Sequence, residues 1–185
     1  MWRRSPDLLD RQRSRLLVID MQERLLSVIP DAESVTARCE QLLRGSQILG
    51  VPVSATEQYP EKLGSTVSPL VELLGDRPAK LRFSCAEALD WSQSCPDPAD
   101  RDQVVLAGIE THVCVLQTAF DLLAAGFRVY LATDAIASRS EQDRRIALDR
   151  LTAAGATLTT TESVLFEWCE VAGTPEFKQI SRLIK

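Results

Sequence analysis

A single histidine, His112, occurs in the 185 residues, and none of the five cysteines stands in a CxxC pair. Multi-histidine metal sites are therefore excluded, and cysteine spacing of the zinc type is absent. Cys39, Cys85, Cys95, Cys114 and Cys169 form an odd set and read as reduced thiols. Neither a metal nor any other cofactor is expected. Long apolar runs are also missing: none approaches the ~20 residues of a membrane-spanning helix, and no apolar segment near the start has the form of a signal peptide. The expectation is a cytoplasmic protein with no membrane partner. Basic blocks are equally scarce. Apart from "RRSPDLLDRQRSR" at the start, read as a solvated lead-in, no Lys/Arg-rich block stands out, and the net charge is −5. The electrostatic footprint of a nucleic-acid binder is missing.

What is present is a globular composition, 45% hydrophobic and 25% charged, at a length that fits one domain with one core. Residues 1–14 read as lead-in and 15–185 as the domain, with no linker, repeat or low-complexity segment between them. Six short aliphatic and β-branched segments alternate with longer ones of helical period. They are Arg15 to Asp20, Val51 to Thr56, Ala79 to Phe83, Gln103 to Gly108, Phe127 to Thr133 and Ala156 to Thr161. Most are apolar on both faces, as strands covered by helices on each side must be. This is the signature of repeated βα units, a three-layer α/β/α, Rossmann-like fold around a six-stranded, mainly parallel sheet.

The helices have readable ends. Asp31 is a plausible N-cap for a helix that places Val35, Cys39, Leu42, Leu43, Ile48 and Leu49 near one face and stops at Gly50. Ser140 opens another, closed by Gly155, and Thr174 before Pro175 opens a last one. The stretch from Glu57 to Lys80 is richer in Gly and Pro and reads as an irregular loop with one short helix.

In open parallel sheets the ligand site lies outside the carboxyl ends of the strands. Three polar residues fall there. Asp20 ends the run "LLVID", Lys80 sits in the third strand, and Cys114 follows the fourth, in the first turn of a helix capped by Thr111. A helix N-terminus and a nearby cation favour a thiolate, lowering its pKa from ~8.5 into the ~3.5–7.5 range. Asp20 then serves as general base for the thiol and as general acid for a leaving amine, and backbone N–H groups around Glu110 and Cys114 meet the oxyanion. On spacing alone the bland readings stay open: Cys114 as a small core residue, Asp20 as a turn former, Lys80 reaching water along an apolar stem.

The blocks "LLVIDMQERL", "AKLRFSC" and "VVLAGIETHVCVLQTAFDLLAAGFRVYLATDAIASRS" resemble, in order and spacing, the isochorismatase-like cysteine hydrolases, the superfamily of nicotinamidases and N-carbamoylsarcosine amidohydrolases. "TEQYPEKLGSTV" and "GTPEFKQISRLIK" are similar to the subgroup called isochorismatase domain-containing proteins. The resemblance implies a triad of Asp20, Lys80 and Cys114, with Cys114 attacking a carbonyl carbon and Lys80 stabilising the charged state. It also implies a cis peptide between Ile109 and Glu110 that turns N–H groups toward the oxyanion. It further implies hydrolysis of a C–N bond in a small, non-peptide, amide-type substrate, by a homo-oligomer to which "ESVLFEWCEVAG" and "FKQISRLIK" could supply an interface. Two departures bear on the substrate. Where nicotinamidases carry an Asp/His metal cluster, this chain has Thr56, Glu57, Gln58 and Tyr59, and the cysteine at 114 favours acyl chemistry over the ether hydrolysis of true isochorismatases.

Gln22 and Glu57 are candidates for binding a polar substrate group, and Tyr59, Phe83 and Trp91 for lining the pocket. Each has a bland alternative as loop cap, solvated acid or core aromatic. His112 lies two residues before Cys114, a spacing that points the two side chains to different sides of a helical turn. Two alternatives complete the reading: a catalytically silent family member that works by binding or assembly, and an isochorismate-type ether hydrolase.

Overall fold

The computed structural model describes residues 4–91 and 101–185; Cys95 lies outside them. Six strands, β1 (Ser14–Ile19), β2 (Val53–Gln58), β3 (Ala79–Lys80), β4 (Gln103–Ile109), β5 (Arg128–Ala137) and β6 (Thr157–Thr159), form one sheet in the order β3-β2-β1-β4-β5-β6. Every pairing is parallel. The helices are α1 (Glu23–Leu26), α2 (Ala32–Leu49), α3 (Pro60–Leu63), α4 (Leu116–Ala124), α5 (Glu141–Ala153), α6 (Thr161–Cys169) and α7 (Pro175–Leu183).

The period-2 alternation of the central strands divides the core. Leu16 and Val18 of β1, with Val105, Ala107 and Ile109 of β4, face the layer of α2, α6 and α7. Leu17, Ile19, Val104 and Leu106 face the layer of α4 and α5. Burial on both faces is why these strands read as continuous apolar runs. At the register shift between β4 and β5, where the extra residues belong to β5, Gly108 has φ +111°, and a Cβ there would lie 2.1 Å from the carbonyl oxygen of Ile19. Glycine alone lets β1 and β4 approach this closely where Ile19 leads into Asp20.

Helix ends follow the sequence at Ser140 and Thr174, whose side chains accept from the N–H groups of Asp143 and Phe177. Asp31 holds the N-cap position of α2 but with φ 57° and no side-chain capping bond. The third strand is shorter than expected. After Lys80 the chain bends so that the carbonyls of Arg82 and Phe83 turn back onto the Lys80 ammonium, which a straight strand cannot do. β2 begins and ends two residues later than expected because Glu57 and Gln58 pair with β3. β5 runs on to Ala137. The segment expected to supply an interface forms most of α6, which buries Val164, Leu165 and Trp168 within the chain and leaves Phe166 exposed, and α7 buries Ile180 in the same core. Among the described residues no helix is long and apolar enough to cross a membrane.

Candidate active site

The strand order explains how the site is assembled. β2 lies between β1 and β3, so an acid at the end of β1 and a lysine on β3 can meet only above β2. Asp20, the first residue after β1, adopts the left-handed region with φ 51°, a conformation Asp tolerates better than most residues. Lys80 pairs in register with Gln58. Its Nζ donates to Asp20 Oδ2 at 2.7 Å, to Gln58 Oε1 at 2.7 Å and to the carbonyl of Phe83 at 2.9 Å. The pair is buried, with side-chain exposures of 3% for Lys80 and 0% for Asp20.

Cys114 approaches from the other side of β1. It lies in a π-helical turn, Thr111–Val115, in which Val115 N–H donates to the carbonyl of Glu110, and α4 continues directly from it. Glu110, not Thr111, occupies the N-cap position, and its side chain makes no capping bond. The Cys114 side chain is buried, close enough to Asp20 and Lys80 for both charges to act on its thiol. The structure thus brings Asp20, Lys80 and Cys114 into one cluster.

The charge state of that cluster differs from the sequence expectation. Burial, then the adjacent Asp20 carboxylate, pushes the Cys114 thiol above its ordinary value, and Lys80 opposes this without prevailing. The cation that was to favour a thiolate is already spent on Asp20. Burial also raises the Asp20 carboxyl, against the pull of Lys80, while burial of Lys80 is outweighed by Asp20, Cys85 and Cys114, which hold the ammonium above its usual range. The site therefore holds Lys80 and Asp20 at ion-pair distance beside a thiol that burial keeps protonated.

Thr56 and Gln58 were not singled out from the sequence as supports for this cluster. Two residues apart on β2, they share a face; Thr56 Oγ1 donates to Asp20 Oδ1 at 2.8 Å while Gln58 receives Lys80 and donates from Nε2 to the carbonyl of Leu81. The alternation of Ser54, Thr56 and Gln58 in "VSATEQ" was the available signal.

Gln22 and Glu57 are engaged elsewhere. Gln22 donates to the carbonyls of Gln58 and Gly64 and accepts from Gln58 N–H, fastening the loop after β2. Glu57 accepts from the N–H and hydroxyl of Thr66 and from Arg77. Tyr59 and Phe83 are exposed near Lys80, at 38% and 50%. Trp91 packs beside Phe127, under the Arg15 guanidinium. The Ile109–Glu110 peptide bond is cis. Glu110 accepts from Arg139 N–H and pairs with its guanidinium, and His112 Nδ1 lies 2.9 Å from Ser138 Oγ. Among the described residues no three His, Cys, Asp or Glu side chains are grouped as metal ligands.

Two clefts share Ala79, Lys80 and Leu81. One, of about 380 Å³, continues over Arg82, Ser84 and Glu87; the other, of about 460 Å³, over Tyr59, Pro60 and Glu61.

Comparison with known proteins bears on the fold and the family. The family model described as the isochorismatase domain matches residues 14–163. Isochorismatase domain-containing protein 1 of Salmo salar is 42% identical over 168 residues, 90% of this chain; the chain spans 59% of that relative's length. The structure named Mar1 ribonuclease from Caenorhabditis elegans is 36% identical and superposes with a TM-score of 0.86, covering 96% of this chain and 92% of its own. The YcaC gene product of Escherichia coli, described as an octameric hydrolase, is 24% identical with a TM-score of 0.79, covering 91% of this chain and 85% of its own, a likeness of fold alone. With its six-stranded parallel sheet and the match over most of its length, the chain belongs to the isochorismatase family of hydrolases.

Proposed function

We propose that this chain hydrolyses the C–N bond of a small, non-peptide, amide-type substrate through a thioester on Cys114. The observation that carries the reading is the meeting of a buried thiol, a carboxylate near enough to shift it and a lysine paired to that carboxylate, at the carboxyl ends of three strands. Asp20 takes the Cys114 proton as sulfur adds to the carbonyl carbon. The tetrahedral oxyanion collapses, the C–N bond breaks, and the amine departs with the proton held by Asp20. Water, deprotonated by Asp20, then cleaves the thioester, and the proton returns to sulfur, leaving acid and amine. Ile109 and Glu110 flank the oxyanion position in this reading, and the substrate enters past Tyr59 and Phe83.

The ribonuclease name of the Caenorhabditis elegans structure is not carried over, because the chain is acidic and Lys80 is committed to Asp20. Self-association is part of the proposal, supported by the exposed Leu81 and Phe83 beside the clefts and by the octameric YcaC protein. So is a cytoplasmic, reducing setting, consistent with free thiols at Cys39, Cys85, Cys114 and Cys169.

The test is intact-mass spectrometry during turnover of a panel of small amides. A mass increase equal to the acyl group, mapped to residue 114 and absent in Cys114→Ala, is expected. Full turnover of a confirmed substrate by Cys114→Ala would overturn the mechanism.

A further inference from the structure

We infer that Thr56 and Cys85 form a hydrogen-bond relay that orients the Asp20 carboxylate toward Cys114, which makes Thr56 a positioning residue for the general base. The inference rests on the reading of Asp20 as the base for Cys114 and adds what holds that base in place.

With the Lys80 ammonium 2.7 Å from Oδ2, Asp20 is the anion and can only accept. Its other oxygen, Oδ1, receives the hydroxyl proton of Thr56 at 2.8 Å. Thr56 has one hydroxyl proton, and this bond uses it. The contact between Thr56 Oγ1 and Cys85 Sγ, 3.3 Å long and fully buried, is therefore made by the S–H of Cys85 donating to the hydroxyl oxygen. Direction is thus fixed along the chain Cys85, Thr56, Asp20.

The relay is anchored at its far end to the element that carries the nucleophile. Cys85 N–H donates at 2.9 Å to Thr118 Oγ1, and Thr118 follows Cys114 by four residues on the helix that continues from its turn. With one oxygen held by Lys80 and the other by Thr56, the carboxylate is fixed against rotation about its axis, which in this inference keeps it presented to Cys114. The two thiols thereby take different parts. Cys85 is committed as a donor that keeps its proton, while Cys114 gives its proton up.

The experiment is the pH dependence of Cys114 alkylation by iodoacetamide, followed by peptide mass spectrometry, a readout that needs no substrate. In the wild type, transfer of one shared proton within the Asp20–Cys114 pair gives a rate that rises through the Asp20 titration and is then flat. Asp20→Asn removes the flat region. Thr56→Val takes a donor from the charged form of Asp20, so the rising limb moves to higher pH by about one unit, and Thr56→Ser restores it. Cys85→Ala gives a smaller shift of the same sign.

A limb unchanged in Thr56→Val, with the Asp20→Asn effect intact, would overturn the relay and leave the proposed function standing. A wild-type profile that Asp20→Asn does not alter would overturn both. Should Thr56→Val fail to fold, the infrared S–H band of Cys85, isolated as the difference between wild type and Cys85→Ala, decides. A band at the hydrogen-bonded position supports the relay, and one at the free-thiol position overturns it.

Discussion

Lys80 Nζ and Asp20 Oδ2 stand 2.7 Å apart across the width of β2, although the two residues are 60 apart in sequence and neither side chain reaches solvent. A buried pair of this kind gains little net energy by forming, because both partners lose their hydration, but breaking it strands a charge. Lys80→Met is therefore expected to destabilise the fold by about 3–5 kcal/mol. Urea unfolding at neutral pH checks this. A midpoint unchanged from wild type would mean that Asp20 finds a second cation or takes up a proton without consequence.

The same pair sets an alkaline limit. Lys80 is held above its ordinary value in the folded chain, so the folded state binds its proton more tightly than the unfolded state does. The sign follows: the stabilisation is complete below the unfolded value of about 10.4 and is lost as pH rises through the higher, folded one. Unfolding free energy measured from pH 8 to 12 should fall in that window for wild type. Lys80→Met, starting lower, should show a shallower fall. Asp20 acts in the opposite sense: its raised carboxyl costs stability at neutral pH, and acidification through the folded value relieves that cost.

Gln22 offers a discrimination between loop support and substrate binding. All three of its side-chain hydrogen bonds go to backbone groups of Gln58 and Gly64. Gln22→Ala should cost about 1–3 kcal/mol through the buried groups left unpaired, and should open the segment 59–66 to limited proteolysis. A variant with wild-type stability and protease resistance, but a raised KM on the substrate found by the amide panel, would assign Gln22 to the ligand instead.

Gly108→Ala tests the approach of β1 to β4. The added methyl would meet backbone of Ile19, which no side-chain rotation relieves, at a φ that disfavours any L residue. A loss on the order of 3 kcal/mol or more is expected, seen as a lower thermal midpoint or insoluble expression. Glycine at 155, with φ +100° and open space around it, is the control: Gly155→Ala should cost about 1 kcal/mol.

Much of the architecture was legible because it is encoded locally. Two-sided apolar runs gave the strands of the parallel sheet, and Ser140 and Thr174 announced their helices by capping chemistry. Asp20, Lys80 and Cys114 could be picked out by position at strand ends, and the resemblance tied them together. What stayed hidden depends on groups distant in sequence. The truncation of β3 comes from carbonyls folding back on Lys80, the support by Thr56 and Gln58 from strand order, and the raised Cys114 thiol from its burial together with a carboxylate 94 residues away. α6 went unrecognised as core because "ESVLFEWCEVAG" has an apolar content equally suited to an interface, and α2 determines which of its faces is covered.

Lys80 rides on a strand of two residues at the margin of the sheet, paired along one side to β2 alone. Margins this short open in local fluctuations that leave the remaining ladder intact. Each such opening separates the ammonium from Asp20 and dismantles the cluster while five strands persist. Under the proposed mechanism, activity is expected to fail with the margin of the sheet before the centre comes apart.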